Sequence, residues 1–226
     1  MLLVGLTGSI GMGKSTVASR LRALSIPVFD ADSEVHRLYA GDAVPLIAAA
    51  FPGTTADGQV SRAALAAALL AEPEGFARLE AIVHPLVRNA ERAFLRQAAA
   101  AGAAMAVLEV PLLLETDGQR TVDVVIVVSA PAELQRARVL ARLGMDPARL
   151  EQLLQKQMSD AEKRRHADFV VDTGGTFAAA DAQVDRIVES LKGRQGTAYR
   201  RFWADDNGSD GGHAGEAGSD RQAPRG

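Results

Sequence analysis

The run Leu2-Leu3-Val4-Gly5-Leu6-Thr7 leads straight into Gly8-Ser9-Ile10-Gly11-Met12-Gly13-Lys14-Ser15, an apolar strand opening into the spacing G-x-x-x-x-G-K-S, and nothing else in the chain constrains the fold so tightly. Glycines at 8, 11 and 13 allow the backbone to bend so that successive N–H groups converge on an anion, and the helix that follows adds the positive end of its dipole. Lys14 is placed to reach the terminal phosphates of a nucleotide, and the Ser15 hydroxyl to ligate Mg²⁺. The whole stretch Gly8, Ser9, Ile10, Gly11, Met12, Gly13, Lys14, Ser15 and Thr16 is therefore the expected nucleotide-phosphate-binding loop. The competing reading is a glycine-rich turn with an exposed lysine, which the position between strand and helix disfavours.

Short Val/Ile/Leu runs alternate with longer Ala/Leu/Arg/Glu segments, the pattern of a parallel sheet covered by helices on both faces. Strands are expected over 2–7, 26–29, 105–109, 122–128 and 169–172, and helices over 14–24, 33–39, 62–70, 85–101, 131–143, 147–158 and 177–192. The fold class is α/β: a P-loop NTPase of three layers, α/β/α, around a five-stranded parallel sheet. Ser159-x-x-Glu162 reads as a capping box. No internal repeat is evident.

The 226 residues suit one compact domain with inserted helical regions, and 47% hydrophobic against 23% charged residues is ordinary for a globular chain. A formal net charge of -3 gives no general attraction for nucleic acid, so phosphate binding must come from local groups. The absence of cysteine excludes disulfides, thiolate metal sites and cysteine catalysis. No stretch reads as a signal peptide or membrane span, and the expected setting is the cytoplasm, with no membrane or nucleic-acid partner. A monomer is the favoured state.

A phosphate loop alone does not separate a kinase from a GTPase switch. No N-K-x-D or T-K-x-D guanine signature occurs. The second strand ends in Asp30-Ala31-Asp32, and ligands of open α/β sheets sit beyond the carboxyl ends of the strands. An aspartate there accepts or orients the proton of an attacking hydroxyl. Alternatively, both carboxylates cap the helix that follows, and the two roles can coexist.

Taken together, these residues resemble the dephospho-CoA kinase family from the first strand to about Lys192. The family pattern is matched by Gly5 to Thr16, Asp30-Ala31-Asp32, His84-Pro85, Val110-Pro111-Leu112-Leu113-Leu114-Glu115, and Gln135, Arg138 and Arg142, followed by Gln157, Lys163 and Ala167-Asp168. The resemblance implies transfer of the γ-phosphate of ATP to the 3′-hydroxyl of dephospho-CoA, with ATP and Mg²⁺ required. It implies catalytic roles for Lys14, Asp32, Arg138 and Arg142, and acceptor contacts from Asp32, His84, Pro85, Leu113 and Glu115. Ser15 and Glu109 would hold the metal. A helical acceptor region is expected over about 33–101 and a lid over about 131–158, within a kinase domain of 1–192.

Gln135, Arg138 and Arg142 share one helical face at i, i+3 and i+7. Turned inward, that face stabilises a transferring phosphoryl group, and turned outward it is a solvated arginine face. His84 either contacts the acceptor or caps the helix expected to begin at Pro85. Glu109 stands where aspartate is usual, Leu114 replaces an aromatic, and Asp172-Thr173-Gly174-Gly175 replaces D-N-x-G near the adenine. The remaining alternatives are another small kinase for a nucleoside, nucleotide or sugar acid, and an ATP-sensing regulator that transfers nothing.

Residues 193–226 hold eight of the chain's 21 glycines among Asp, Ser, Asn and Arg. A disordered tail is expected there, with a small docking patch at Tyr199, Phe202 and Trp203 as the other reading.

Overall fold

A computed structural model describes residues 1–204. The chain opens with β1 (Leu2–Thr7), α1 (Lys14–Ala23), β2 (Val28–Asp30) and α2 (Ala31–Leu38). An inserted region follows: α3 (Val44–Ala50), the hairpin strands β3 (Thr55–Ala56) and β4 (Gln59–Val60), α4 (Arg62–Ala71) and the long α5 (Gly75–Ala100). The core resumes with β5 (Met105–Glu109), a short 3-10 turn at Gly118–Thr121, β6 (Val124–Ser129), α6 (Ala132–Leu140), α7 (Pro147–Gln155) and α8 (Asp160–Arg165). It ends with β7 (Phe169–Asp172), α9 (Phe177–Leu191) and α10 (Ala198–Phe202).

The five long strands form one parallel sheet in the order β2-β5-β1-β6-β7. Side chains alternate across a strand, so β1 sends Leu2, Val4 and Leu6 to a core shared with Val17 and Leu21 of α1 and Val184, Ile187 and Leu191 of α9. Leu3 points the other way and packs with Leu95 of α5 and with Ala198 and Trp203. The three layers of the expected α/β/α fold follow. A separate cluster, with Leu38, Ile47, Phe51, Leu65 and Val83, closes the inserted helices on themselves.

All five expected strands and seven expected helices are present, with ends shifted by a few residues. The exception is α5, which begins at Gly75 rather than Pro85, so the proline lies inside the helix. Its missing N–H leaves the Ala81 carbonyl unpaired in the helix, but both residues are exposed and water can satisfy it. His84 is therefore a mid-helix residue and not a cap. The β3–β4 hairpin went unread, although Asp57-Gly58, both at positive φ, is a strong turn signal. The Ser159 capping box is formed as expected.

The expected tail starts too early. Residues 193–204 are built into the domain, and Trp203 is only 2% exposed. Asp123 holds this segment down: its carboxylate accepts the backbone N–H groups of Leu3 at 2.9 Å, Thr197 at 2.7 Å and Ala198 at 2.9 Å. The aromatic residues supply apolar area that the glycine content obscured. The rest of the expected tail, 205–226, lies outside the described residues.

Candidate active site

The phosphate loop curls at the carboxyl end of β1 and ends on the first turn of α1, with Gly11 at φ 79° and Gly13 at φ 88°. Both values belong to the left-handed region that glycine adopts without strain. Space is short as well: a Cβ on Gly11 would lie 2.6 Å from a Val139 methyl, and one on Gly13 would lie 3.1 Å from the Thr173 hydroxyl. The loop is thus pressed against α6 on one side and the end of β7 on the other.

Side chains from those elements hold it. Gln135 donates to the Ile10 carbonyl at 2.8 Å, and Gln157 accepts the Ile10 N–H at 3.1 Å. Thr173 donates its hydroxyl proton to the Met12 carbonyl at 2.7 Å, while Arg138 donates to the Thr173 hydroxyl at 3.1 Å and its carbonyl at 2.7 Å. The departure at Thr173 is therefore a loop-holding contact. The residues of the Gln135 face are divided between two places. Gln135 and Arg138 grip the loop from behind, whereas Arg142, just past the end of α6, lines the open cleft.

That cleft, about 1100 Å³, runs from Ile10, Gly11, Gly13, Lys14 and Ser15 past Asp30, Asp32 and Glu109 to α5 and Trp203. Lys14 folds back onto the Gly8 carbonyl at 2.6 Å. Burial pushes its ammonium below the ordinary lysine range, and the negative charges of Glu109 and Asp32 pull it back up. Glu109, at the end of β5, is raised by burial and by Asp30, with Lys14 and Arg22 opposing. Asp30 caps α2 by accepting the Ser33 N–H. Asp32, on the first turn of that helix, makes no side-chain hydrogen bond among the described residues.

Of the expected acceptor residues, Asp32, His84 and Leu113 line the cleft. Pro85 and Glu115 do not. The Glu115 carboxylate accepts from the buried Lys163 ammonium at 2.8 Å and from the Met158 N–H at 2.8 Å, tying the loop after β5 to the start of α8. Within the phosphate loop, Gly8, Ser9 and Met12 are buried beneath the cleft and Thr16 lies outside its lining. Sequence reasoning missed Glu80, Arg88, Glu91 and Trp203, which all line it. Spacing along α5 held the signal: Glu80, His84, Arg88 and Glu91 stand about one helical turn apart, beside the apolar Leu79, Val83 and Val87.

The dephospho-CoA kinase family model (CoaE) matches residues 2–179. Among curated relatives, the dephospho-CoA kinase of Mesorhizobium japonicum is 54% identical over 197 residues, covering 87% of this chain and all of the relative. The Brucella melitensis dephospho-CoA kinase is 50% identical over 200 residues, with 88% and 100% covered. The crystal structure of TT1252 from Thermus thermophilus superposes with a TM-score of 0.73 at 32% identity, covering 85% of this chain and 98% of that one. The dephospho-CoA kinase from Campylobacter jejuni has the same fold, with a TM-score of 0.63 at 23% identity over 84% of this chain and 96% of that one. A phosphate loop gripped from two sides, an aspartate facing it across one cleft and a family match over most of the length agree: the chain belongs to the dephospho-CoA kinase family.

Proposed function

We propose that this chain transfers the γ-phosphoryl group of ATP to the 3′-hydroxyl of dephospho-CoA, giving coenzyme A and ADP, the final step of coenzyme A synthesis. The observation that carries this reading is that Lys14 and Asp32 face one cleft, large enough for two substrates, in a chain of this family. Loop N–H groups and Lys14 hold the phosphates. The acceptor hydroxyl lies against Asp32, which takes its proton as the oxygen attacks the γ-phosphorus. The bond from that phosphorus to the β,γ-bridging oxygen breaks, and ADP leaves with the electron pair. Arg142 meets the negative charge that spreads over the transferring group.

The residues present suit Mg²⁺. Asp30, Asp32 and Glu109 line the cleft together with Lys14 and Ser15; Glu109 is pushed up first by burial and then by the negative charge of Asp30, and a cation would offset that charge. Among the described residues no set of three His, Cys, Asp or Glu forms a metal cage. Mg²⁺ bound to nucleotides takes one or two protein oxygens and completes its shell with phosphate and water. Ser15 and Glu109 would hold the ion on this reading, and it would supply positive charge against the phosphates.

No helix among the described residues is long and apolar enough to cross a membrane. On this reading the chain works in the cytoplasm and as a monomer. The test is ADP release with dephospho-CoA, adenosine, AMP and gluconate offered in turn. Clear preference for dephospho-CoA is expected. Preference for another acceptor would reassign the substrate, and release with none would leave an ATP-sensing regulator.

A further inference from the structure

Arg88, on α5, is half-buried in the lining of the cleft, and its guanidinium makes no hydrogen bond among the described residues. Two contacts fix its place. Its central carbon sits 3.5 Å over the Trp203 ring centroid, and its nearest carboxylate oxygen, on Glu91, is 3.7 Å away. The indole face takes up none of the guanidinium's N–H groups in conventional hydrogen bonds, and those groups are the part that pairs with phosphate. In the open cleft those donors face solvent, and a bound anion would offer them charge-assisted hydrogen bonds in its place.

The charge balance points the same way. Burial disfavours the charged form of Arg88, with Glu91 only partly opposing it. Glu91 is itself pushed up to about 7 by burial, so its negative charge is incomplete near neutrality and does not cancel the guanidinium.

The indole is held in turn. Trp203 Nε1 donates to the Thr121 carbonyl at 2.8 Å, and the Asp123 carboxylate fastens the chain just before α10. This segment lies beyond residue 179, where the family match ends.

We propose that Arg88 binds the diphosphate of the phosphoryl acceptor and that Trp203, acting through it, is a positioning residue that holds the guanidinium at the wall of the cleft. This rests on the acceptor assigned above. In dephospho-CoA the diphosphate hangs from the 5′ side of the ribose whose 3′-hydroxyl reacts. Asp32 and Arg88 line the same cleft, so with the hydroxyl at Asp32 the diphosphate is held within the space that Arg88 also lines.

The test uses the full chain and four variants: Arg88→Gln, Arg88→Lys, Trp203→Leu and Trp203→Phe. Arg88→Gln and Trp203→Leu are expected to raise KM for dephospho-CoA by about tenfold or more, the worth of a charge-assisted hydrogen bond. The KM for ATP and kcat should hold. Arg88→Lys and Trp203→Phe keep a charge or a ring face and should recover part of the loss. Adenosine, which has the ribose and base but no phosphate, should inhibit all of them competitively against dephospho-CoA with an unchanged constant. An unchanged KM for dephospho-CoA in Arg88→Gln overturns the proposal even if Trp203→Leu fails to fold, because the guanidinium is half-exposed and dispensable to the core. Equal weakening of adenosine and dephospho-CoA also overturns it, by making the role purely structural. If the parent chain turns over no dephospho-CoA, the acceptor reading fails first and takes this proposal with it.

Discussion

Ser33 is bound twice by Asp30: its backbone N–H donates to one carboxylate oxygen at 3.0 Å and its hydroxyl to the other at 2.8 Å. Both oxygens of Asp30 are thereby committed to starting α2. Asp32, two residues on, is left facing the cleft.

Asp32→Asn should lower turnover with dephospho-CoA by roughly 10² to 10⁴, the usual worth of a general base. ATP affinity and melting temperature should hold, since neither the phosphate loop nor the cap is touched. Asp30→Ala should do the reverse to stability, costing about 1 kcal/mol through the lost cap. Turnover of the Asp32 variant, its ATP affinity and both melting curves decide the matter. Normal turnover in Asp32→Asn would move the proton acceptor to Asp30 or Glu109.

Arg138 and Arg142 should separate kinetically. Arg142 touches only the open cleft, so Arg142→Ala should lower kcat while leaving KM for ATP nearly unchanged, as expected for a contact strengthened in the transition state. Arg138 is spent on Thr173 and the Gly11 carbonyl. Arg138→Ala should therefore loosen the loop, raise KM for ATP and lower the melting temperature. Identical behaviour in the two variants would contradict this division.

Much of the fold and the phosphate end of the site was legible in the sequence because their signals are local. A glycine pattern, a strand running into a helix and an acidic strand end each lie within a few neighbouring residues. The α5 side of the cleft was not legible. It is made by a stripe along α5 that meets Trp203 across a separation of more than a hundred residues, and only packing brings them together. Helix α5 was also misread at its start, because proline is a reliable helix breaker only where no surrounding contacts outweigh its cost of about 3 kcal/mol. Glycine content likewise misplaced the tail boundary: composition averages over a window, whereas docking here depends on Asp123 and a single indole.

Truncation tests that boundary. Ending the chain at Lys192 removes the indole and the partners of Asp123. Losing a buried tryptophan alone typically costs 3 to 5 kcal/mol, so melting should fall by roughly ten degrees. Ending it at Ala204 preserves all of these contacts and should leave melting and turnover as in the full chain. Equal stability of the two truncations would show that the aromatic docking contributes nothing.

Glu91 makes stability depend on pH in a direction opposite to that of a salt-bridged carboxylate. Its carboxyl is pushed up to about 7 in the folded chain from an ordinary 4.5. Below about 4.5 both folded and unfolded chains hold the proton, and Glu91 has no effect on the balance. Between about 4.5 and 7 the unfolded chain releases it first, so stability falls as pH rises, and above 7 the loss is complete. At about 1.4 kcal/mol per pH unit the ceiling is roughly 3 kcal/mol. Glu91→Gln keeps the shape of the protonated carboxyl and cannot ionise. It should approach the parent as pH falls toward 4.5 and melt higher than the parent at pH 8, by a few degrees for each kcal/mol recovered. Melting curves of both chains across pH 5 to 8 measure the difference. Parallel profiles would mean that Glu91 is fully ionised throughout, with Arg88 neutralising it more completely than their 3.7 Å separation implies.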